Sequence, residues 1–485
     1  MVAKCLRSLL SPRDKRFSRN ALSVSRCLAA PSPELGKTDG PFGLRNLKHR
    51  HMNKQDLERT VGNIAWQFAD KIVRLGLGYA VSVYIARYLG PGDFGVFSYV
   101  TSIVAIMTTL SSLGLDSIVV RNLVLVPELH PRILGTAFAL KFISGLLVIP
   151  LALAAIVYLR PGSVDVKQLV WILVVGVPFL AFDVIEYWYQ ALLNTKYVVV
   201  ARAGVAIVMA LIRLSLISLG VGVGYFVMAN SLELVLMGGA LAMAYLANTR
   251  NSRRWGFSLQ TLINLLGDSW PLMLSALMIS VYSKVDQIII GYVLGDANVG
   301  VYSAAVRIVE LTYVFPMILA NSFFPVLLRA REVDSQRYKD SLQGFFDLMA
   351  TVPVIFALIV SFLAEPIVLV LYGAKYLDAV PVLRVYVWCL VFVFLLVATA
   401  QYLIAENKTI FAFMRNGFAM IVNGVLNWVL IPRFGVEGGA YAALGGYACS
   451  SFLANLFDAD MRKILVMELK ALMLPMAVRR LCEKF

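Results

Sequence analysis

Charge is scarce in this sequence. Only 15% of its 485 residues are Asp, Glu, Lys or Arg, and 59% are hydrophobic. Soluble domains carry about 25% charge and roughly 45–50% apolar residues, so a soluble globular chain is excluded. Cysteine is scarcer still. Cys5, Cys27, Cys389, Cys449 and Cys482 show no CxxC or paired spacing, which argues against disulfides and a cysteine metal site. His49, His51 and His130 lack metal-ligand spacing as well. The GKT at 36–38 is no phosphate loop, because Pro31 stands where the upstream glycine belongs. The DAD at 458–460 has no nucleotide-binding domain around it. No ATP site, metal or cofactor is expected.

What the chain has instead is long apolar runs. Residues 133–159 contain one charge, Lys141, and residues 385–405 contain none. About 20 apolar residues suffice to cross a hydrocarbon core of roughly 30 Å. The reading is an all-α polytopic membrane protein with about twelve transmembrane helices. The segments fall near 61–89, 92–113, 133–159, 168–193, 197–219, 223–247, 261–293, 298–328, 342–364, 379–404, 408–431 and 435–457. Residues 1–51 stand apart as a disordered basic extension, rich in Ser, Pro and Arg. They suit an organellar transit peptide or a start codon placed too early, with Met52 as the natural beginning. The sequon NKT at 407–409 falls on the inner side and is expected to be idle.

The net charge is +15. Cytoplasmic loops of membrane proteins retain Lys and Arg, which explains the excess without nucleic acid. With the N-terminus inside, the inner loops hold eleven cations, among them Arg250, Arg253, Arg254 and Arg329. The outer loops hold four: Arg160, Lys167, Lys375 and Arg433. Both termini are therefore expected to be cytoplasmic. The tail 458–485 reads as a basic amphipathic interfacial helix.

A repeat organises the spans. "YIARYLGPGDFGVFS" (84–98) returns as "IIGYVLGDANVGVYS" (289–303) after a shift of 205 residues. Gly90 falls on Gly295, Gly95 on Gly300, and Pro91 on Asp296. Glycine, proline, aspartate and asparagine mark turns, so each copy predicts a tight outer hairpin between two spans. A weaker echo pairs "LGVGVGYFVMA" (219–229) with "FGVEGGAYAAL" (434–444). The expected units are a lobe at 52–247, a basic linker at 248–260 and a second lobe at 261–457. They are related by a pseudo-two-fold repeat. Carriers built of parallel repeats bind substrate between the repeats and rock around it.

Charges deep in the spans mark the candidate site, since each costs about 2.5–3.5 kcal/mol at a helix centre on insertion scales. The cations are Lys71, Arg74, Lys141, Arg213, Lys284 and Arg307. The acids are Asp183, Glu186, Glu233, Asp286 and Glu310. Lys71 and Arg74 share a helix face, with Asp70 beside them as a partial counterweight. Asp183 and Glu186 share another, and two close carboxylates suit a proton or sodium site. Arg307 and Glu310 have the spacing of a simple pair. Lys284 and Asp286 point apart, so each needs a partner elsewhere. Arg87, Arg202, Asp347, Arg384 and Arg415 lie nearer span ends, where they can snorkel. For any one of these residues, an inter-helix ion pair is as good a reading as substrate contact.

The stretches 86–124 and 285–311, followed by "NSFFPVLLR" (321–329), resemble the polysaccharide transporter family. These are the O-antigen and lipid-linked oligosaccharide flippases of the multidrug/oligosaccharidyl-lipid/polysaccharide exporter superfamily. The resemblance runs from about 60 to 460. It implies a V-shaped pair of six-helix lobes. It also implies alternating access that carries a polyprenyl-diphosphate-linked oligosaccharide from the cytoplasmic to the outer leaflet of the inner membrane. On that reading the six cations face the diphosphate and the five acids are candidates for ion coupling. Partners would be the glycolipid, membrane lipid and other polysaccharide-assembly proteins. The alternatives are an ion-coupled multidrug or cation antiporter of the same superfamily and a peptidoglycan-precursor flippase. A membrane glycosyltransferase would need a catalytic extramembrane domain, and no outer loop offers room for one. The expected protein is a carrier rather than an enzyme.

Overall fold

The computed structural model describes residues 54–248, 255–406, 408–452, 454–456, 459–473, 475–477 and 479–480. The extension 1–51, the linker arginines 250, 253 and 254, Asn407 of the sequon and Asp458 of the DAD lie outside them. So does the side chain of Asp70. Every described regular element is a helix. In chain order they are α1 (Lys54–Ser112), α2 (Asp116–Leu125), α3 (His130–Leu159), α4 (Val164–Val174), α5 (Asp183–Ala191), α6 (Lys196–Ser218) and α7 (Val223–Asn248). There follow α8 (Leu259–Val293), α9 (Asp296–Glu310), α10 (Val314–Val333), α11 (Ser335–Phe362), α12 (Ala364–Leu371), α13 (Ala379–Tyr386) and α14 (Cys389–Ala405). The last are α15 (Thr409–Phe434), α16 (Val436–Phe452) and α17 (Ala459–Leu472).

Each of the twelve predicted segments falls on helix. Ten stretches of the described residues are long and apolar enough, by length and composition, to cross a membrane. The count differs from twelve at two places. Arg74–Leu125 counts as one stretch but bends sharply at Gly90, and Val436–Phe452 has only 17 residues. Two breaks have a local cause in proline, which removes a donor and clashes with the preceding turn. Pro178 lies in the 3-10 turn Val177–Phe182 between α4 and α5. Pro316 withdraws the N–H that would bind Thr312, next to the 3-10 turn Leu311–Tyr313.

Gly90 has φ 73° and ψ 175°, a conformation that side chains strongly disfavour. Gly295 has φ 88° and ψ 176°. The two repeat copies thus share one backbone geometry. Gly373 adopts it too, at φ 84° and ψ 177°, although its sequence gave no repeat signal. The bend at Gly90 reverses the chain. A continuous helix would separate Ser82 from Phe97 by about 22 Å. Yet the guanidinium of Arg307 hydrogen-bonds Ser82 Oγ and lies 6.0 Å from the Phe97 ring centroid.

The first and second halves of the chain meet along two seams. The second limb of α1 runs antiparallel to α8. Tyr99 stands by Gly291, Ser102 bonds Gln287, Thr109 bonds Ser280 at 3.0 Å, and Gly114 abuts Met273. The first limb of α1 meets α9 and α10 in the same sense, through Ser82 with Arg307 and Lys71 Nζ with Met317 Sδ at 3.9 Å. One end of the bundle, the hairpin end, gathers the turns near residues 90, 160, 221, 295, 376 and 435. Tyr88 donates to Val221 O at 3.0 Å, and Tyr376 to Ala86 O at 2.8 Å. At the opposite, linker end, Gly256 N–H donates to Pro131 O at 3.0 Å and Arg121 pairs with Asp268.

The tail helix α17 lies against the second half at the linker end. Met461, Ile464, Glu468 and Ala471 form its buried face. Arg480 grips the fully buried carboxylate of Asp347 with two hydrogen bonds, of 2.8 and 2.7 Å.

Candidate functional site

The repeat copies do more than resemble each other, because they touch. A Cβ on Gly95 would stand 1.7 Å from Asp296 O, and one on Gly300 would stand 2.0 Å from Pro91 O. Gly95 and Gly300 each also approach the other's backbone nitrogen. Positions 91 and 296, and 95 and 300, are equivalent under the 205-residue shift. The contact is therefore a two-fold backbone joint in which only glycine fits. Arg160, at the end of α3, braces it. Its guanidinium pairs with Asp296 at 2.6 Å, donates to Gly291 O at 2.5 Å and lies 4.1 Å from the Tyr99 ring centroid. At the hairpin end the halves are closed upon each other.

Below this joint, α1, α6 and α7 line a half-open cavity of about 260 Å³. Lys71, Arg74 and Arg213 line it, with Glu233 as its one acid. Gly78, Ala206 and Ala210 leave the space by having little side chain. Arg213 pairs with Glu233 and donates to Asn230 Oδ1 at 2.7 Å. Three predicted cations and one predicted acid are thus brought to a single cavity.

The remaining predicted residues lie around it in separate contacts. Lys141 is 2% exposed, donates to Tyr187 OH at 2.8 Å and stands 3.6 Å from Asp183. Glu186 pairs with Arg202 and accepts from Gln190 at 3.0 Å. Asp183 and Glu186 therefore do not form an isolated acidic pair, because each has its own cation. The expected Arg307–Glu310 pair is not made. Glu310 accepts from Lys284 at 3.1 Å, and Arg307 turns to Ser82 and the faces of Phe94 and Phe97. A helix crowded on three sides offers Arg307 a closer hydroxyl and two aromatic faces than the carboxylate one turn away.

Asp286 is different. It is 3% exposed and accepts from Tyr302 OH at 2.6 Å and from Asn427 Nδ2 at 3.0 Å. Lys284 does point away from it, as the spacing requires. Its partners come from α9 and α15, which the sequence pattern could not connect to α8.

Of the residues expected to snorkel, Arg87 and Arg384 are exposed. Arg202, Asp347 and Arg415 are instead covered by the protein. Arg202 is held by Glu186, Asp347 is fully buried, and Arg415 is 7% exposed. Sequence reasoning also missed Asp116, Tyr187, Ser82, Tyr302 and Asn427. Tyrosines and asparagines at mid-span were the available signal, since each needs a hydrogen-bond partner once buried.

A family model described as polysaccharide biosynthesis protein matches residues 84–381. The chain belongs to that family. The match includes both hairpin copies, the Gly95–Gly300 joint and Asp286. Among relatives within reach of this family member is the succinoglycan biosynthesis transport protein ExoT of Rhizobium meliloti (strain 1021). It is 26% identical over 66% of this chain, and the match spans 64% of that protein's own length. The probable flippase AglR of Haloferax volcanii is 25% identical over 80% of this chain and 81% of its own. In solved structures, the lipid II flippase MurJ in an inward closed conformation shares the fold. Its TM-score is 0.68 at 16% identity, over 84% of this chain and 91% of that one. This family member is a multi-pass membrane protein with a transporter fold.

Proposed function

We propose that the protein is a flippase for a polyprenyl-diphosphate-linked oligosaccharide, serving cell-surface polysaccharide biosynthesis. The observation that carries this reading is the cation-rich cavity, in a chain whose family is named for polysaccharide biosynthesis and whose relatives are named a succinoglycan transport protein and a probable flippase. A diphosphate head group drawn into a membrane needs fixed positive charge. Lys71, Arg74 and Arg213 supply it, three cations lining the cavity against the single acid Glu233, which pairs with Arg213. Guanidinium suits bidentate phosphate contact. Lys284 and Arg307 flank the path on the opposite half. The bodies that rock are residues 52–247 and 261–457, joined through 248–260. We place the hairpin end outside and both termini in the cytoplasm of a cell with an inner membrane, on the bias of loop cations.

Among the five acidic candidates we assign ion coupling to Asp286. The other four each meet a cation, whereas Asp286 meets a hydroxyl and an amide. A buried carboxylate without a cationic partner gains most from binding a proton or a metal ion.

The decisive experiment assigns the leaflet of the lipid-linked oligosaccharide in cells lacking the gene. It compares them with cells expressing residues 52–485 or the Lys71→Ala/Arg74→Ala variant. The expected result is glycolipid facing the cytoplasm without the gene, release by the wild-type sequence and no release by the inserted variant. Normal distribution without the gene would turn the assignment to drug or cation efflux.

A further inference from the structure

The cluster around Lys141 has a form that a mere packing lock does not need. It sets two carboxylates at the ends of a series that runs through a lysine and a tyrosine. Asp183, at the start of α5, stands 3.6 Å from Lys141 Nζ. Lys141 donates to Tyr187 OH at 2.8 Å. Tyr187 OH donates in turn to Asp116 Oδ1. Asp116 opens α2 and is exposed at the linker end. Asp183 sits at the other extreme, 24% exposed, one turn from Glu186. Arg202, which pairs with Glu186, and Arg74, which lines the cavity, both act on the charge of Glu186. One end of the series thus lies beside the acid on which the cavity's Arg74 acts, and the other end is exposed at the linker end.

The packing holds the series in line. Gly145 lies one turn from Lys141 on α3, and a Cβ there would come within 2.7 Å of the Pro178 backbone. Gly238 of α7 closes on Phe179 and Phe182 from the other side. The 3-10 turn between α4 and α5 is clamped by two glycines, and Asp183 follows directly after it.

We propose that Asp183, Lys141, Tyr187 and Asp116 form a proton relay from the cavity to the linker end. It is the release route for the coupling ion, which is then a proton. The inference rests on the reading of the chain as an ion-coupled flippase. The steps balance. The Tyr187 hydroxyl proton passes to Asp116 as a Lys141 ammonium proton passes to the tyrosine oxygen, leaving a neutral amine. The amine takes the proton of a protonated Asp183 and is an ammonium again, with Asp183 ionised. Asp116 gives its proton to water at the linker end. The net change is one proton moved from Asp183 to solvent. Closing 3.6 Å to a hydrogen-bond length near 2.9 Å needs a shift of about 0.7 Å. Asp286 lies toward the hairpin end of α8, so loading and release occur at opposite ends of the bundle.

The test uses the full chain in proteoliposomes containing a pH-sensitive dye, a polyprenyl-diphosphate-linked oligosaccharide and a valinomycin-set potassium potential. Proton entry and glycolipid movement are read in the same vesicles. Wild-type protein is expected to do both. Tyr187→Phe, which removes one oxygen, and Asp116→Asn at the exposed end are expected to cut proton flux at least tenfold. Downhill glycolipid movement should survive in both. Proton flux unchanged in both variants would overturn the relay, as would wild-type flipping with no proton movement. If wild type moves protons but no glycolipid, and Tyr187→Phe stops them, the relay stands and the flippase reading falls.

Discussion

In the first half of the chain, the deep acids Asp183, Glu186 and Glu233 each face a cation. In the second half Glu310 meets Lys284, but Asp286 and Glu468 rest on neutral donors. Tyr302 and Asn427 serve Asp286, and Thr399 and Asn455 serve Glu468 at 2.7 and 3.1 Å. Arg415 lies near enough to Glu468 to act on its charge without a hydrogen bond between them. At the hairpin, by contrast, the same two halves present one geometry, glycine against backbone in both directions. The two halves share the geometry of the joint and differ in their electrostatics. The teaching is mechanical. Contact between the halves tolerates no variation, whereas charge in each half is free to specialise.

The sharpest way to break the shared part is bulk. Gly95→Leu and Gly300→Leu are expected to abolish transport to the same degree while the protein still inserts. A clear difference between the two variants would show that the joint is not two-fold in function.

The divergent part is probed by neutralising one acid in each half. Asp286→Asn is expected to lower ion-driven glycolipid movement at least tenfold and to leave thermal stability in detergent nearly unchanged. The reason is that no cation is orphaned. Glu233→Gln leaves the Arg213 charge without its partner, and should cost about 2 kcal/mol of stability. Thermal unfolding of both variants separates the two outcomes.

The smallest effect is expected at α17, outside the membrane-spanning stretches. Burial pushes the Glu468 carboxyl up from 4.5 to about 8, so the docked tail favours the neutral acid. Docking is then strongest below the free value and weakens as pH rises toward the docked one. Amide exchange in α17 should quicken between pH 5 and pH 8 by roughly tenfold per unit of pH at most, after correction for intrinsic rates. Glu468→Gln should flatten that rise.

Much of the fold was legible because hydropathy and turn residues are local signals. The apolar runs placed the spans on helix, and the recurrence of Leu-Gly with Gly-Val five residues on marked the two hairpin turns, though not that the copies touch. The contact partners were less legible. Arg307 and Glu310 had the right spacing for a pair, but Ser82 and Lys284 approach them from other helices. Helical spacing says which residues share a face, not which neighbour that face meets. Asp347 had the look of a snorkelling residue because Arg480, its partner, is 133 residues away. Tyr187 and Tyr302 passed unnoticed because tyrosine is common in apolar helices and only its hydroxyl distinguishes it from packing.

The cavity described above has a consequence of scale. Pockets for drug-sized ligands begin at about 300 Å³, and 260 Å³ falls just short. That space admits a diphosphate and little more. Neither an oligosaccharide nor a polyprenyl tail fits in this cavity. If the cargo is the proposed glycolipid, its chamber must open beyond this cavity in each cycle.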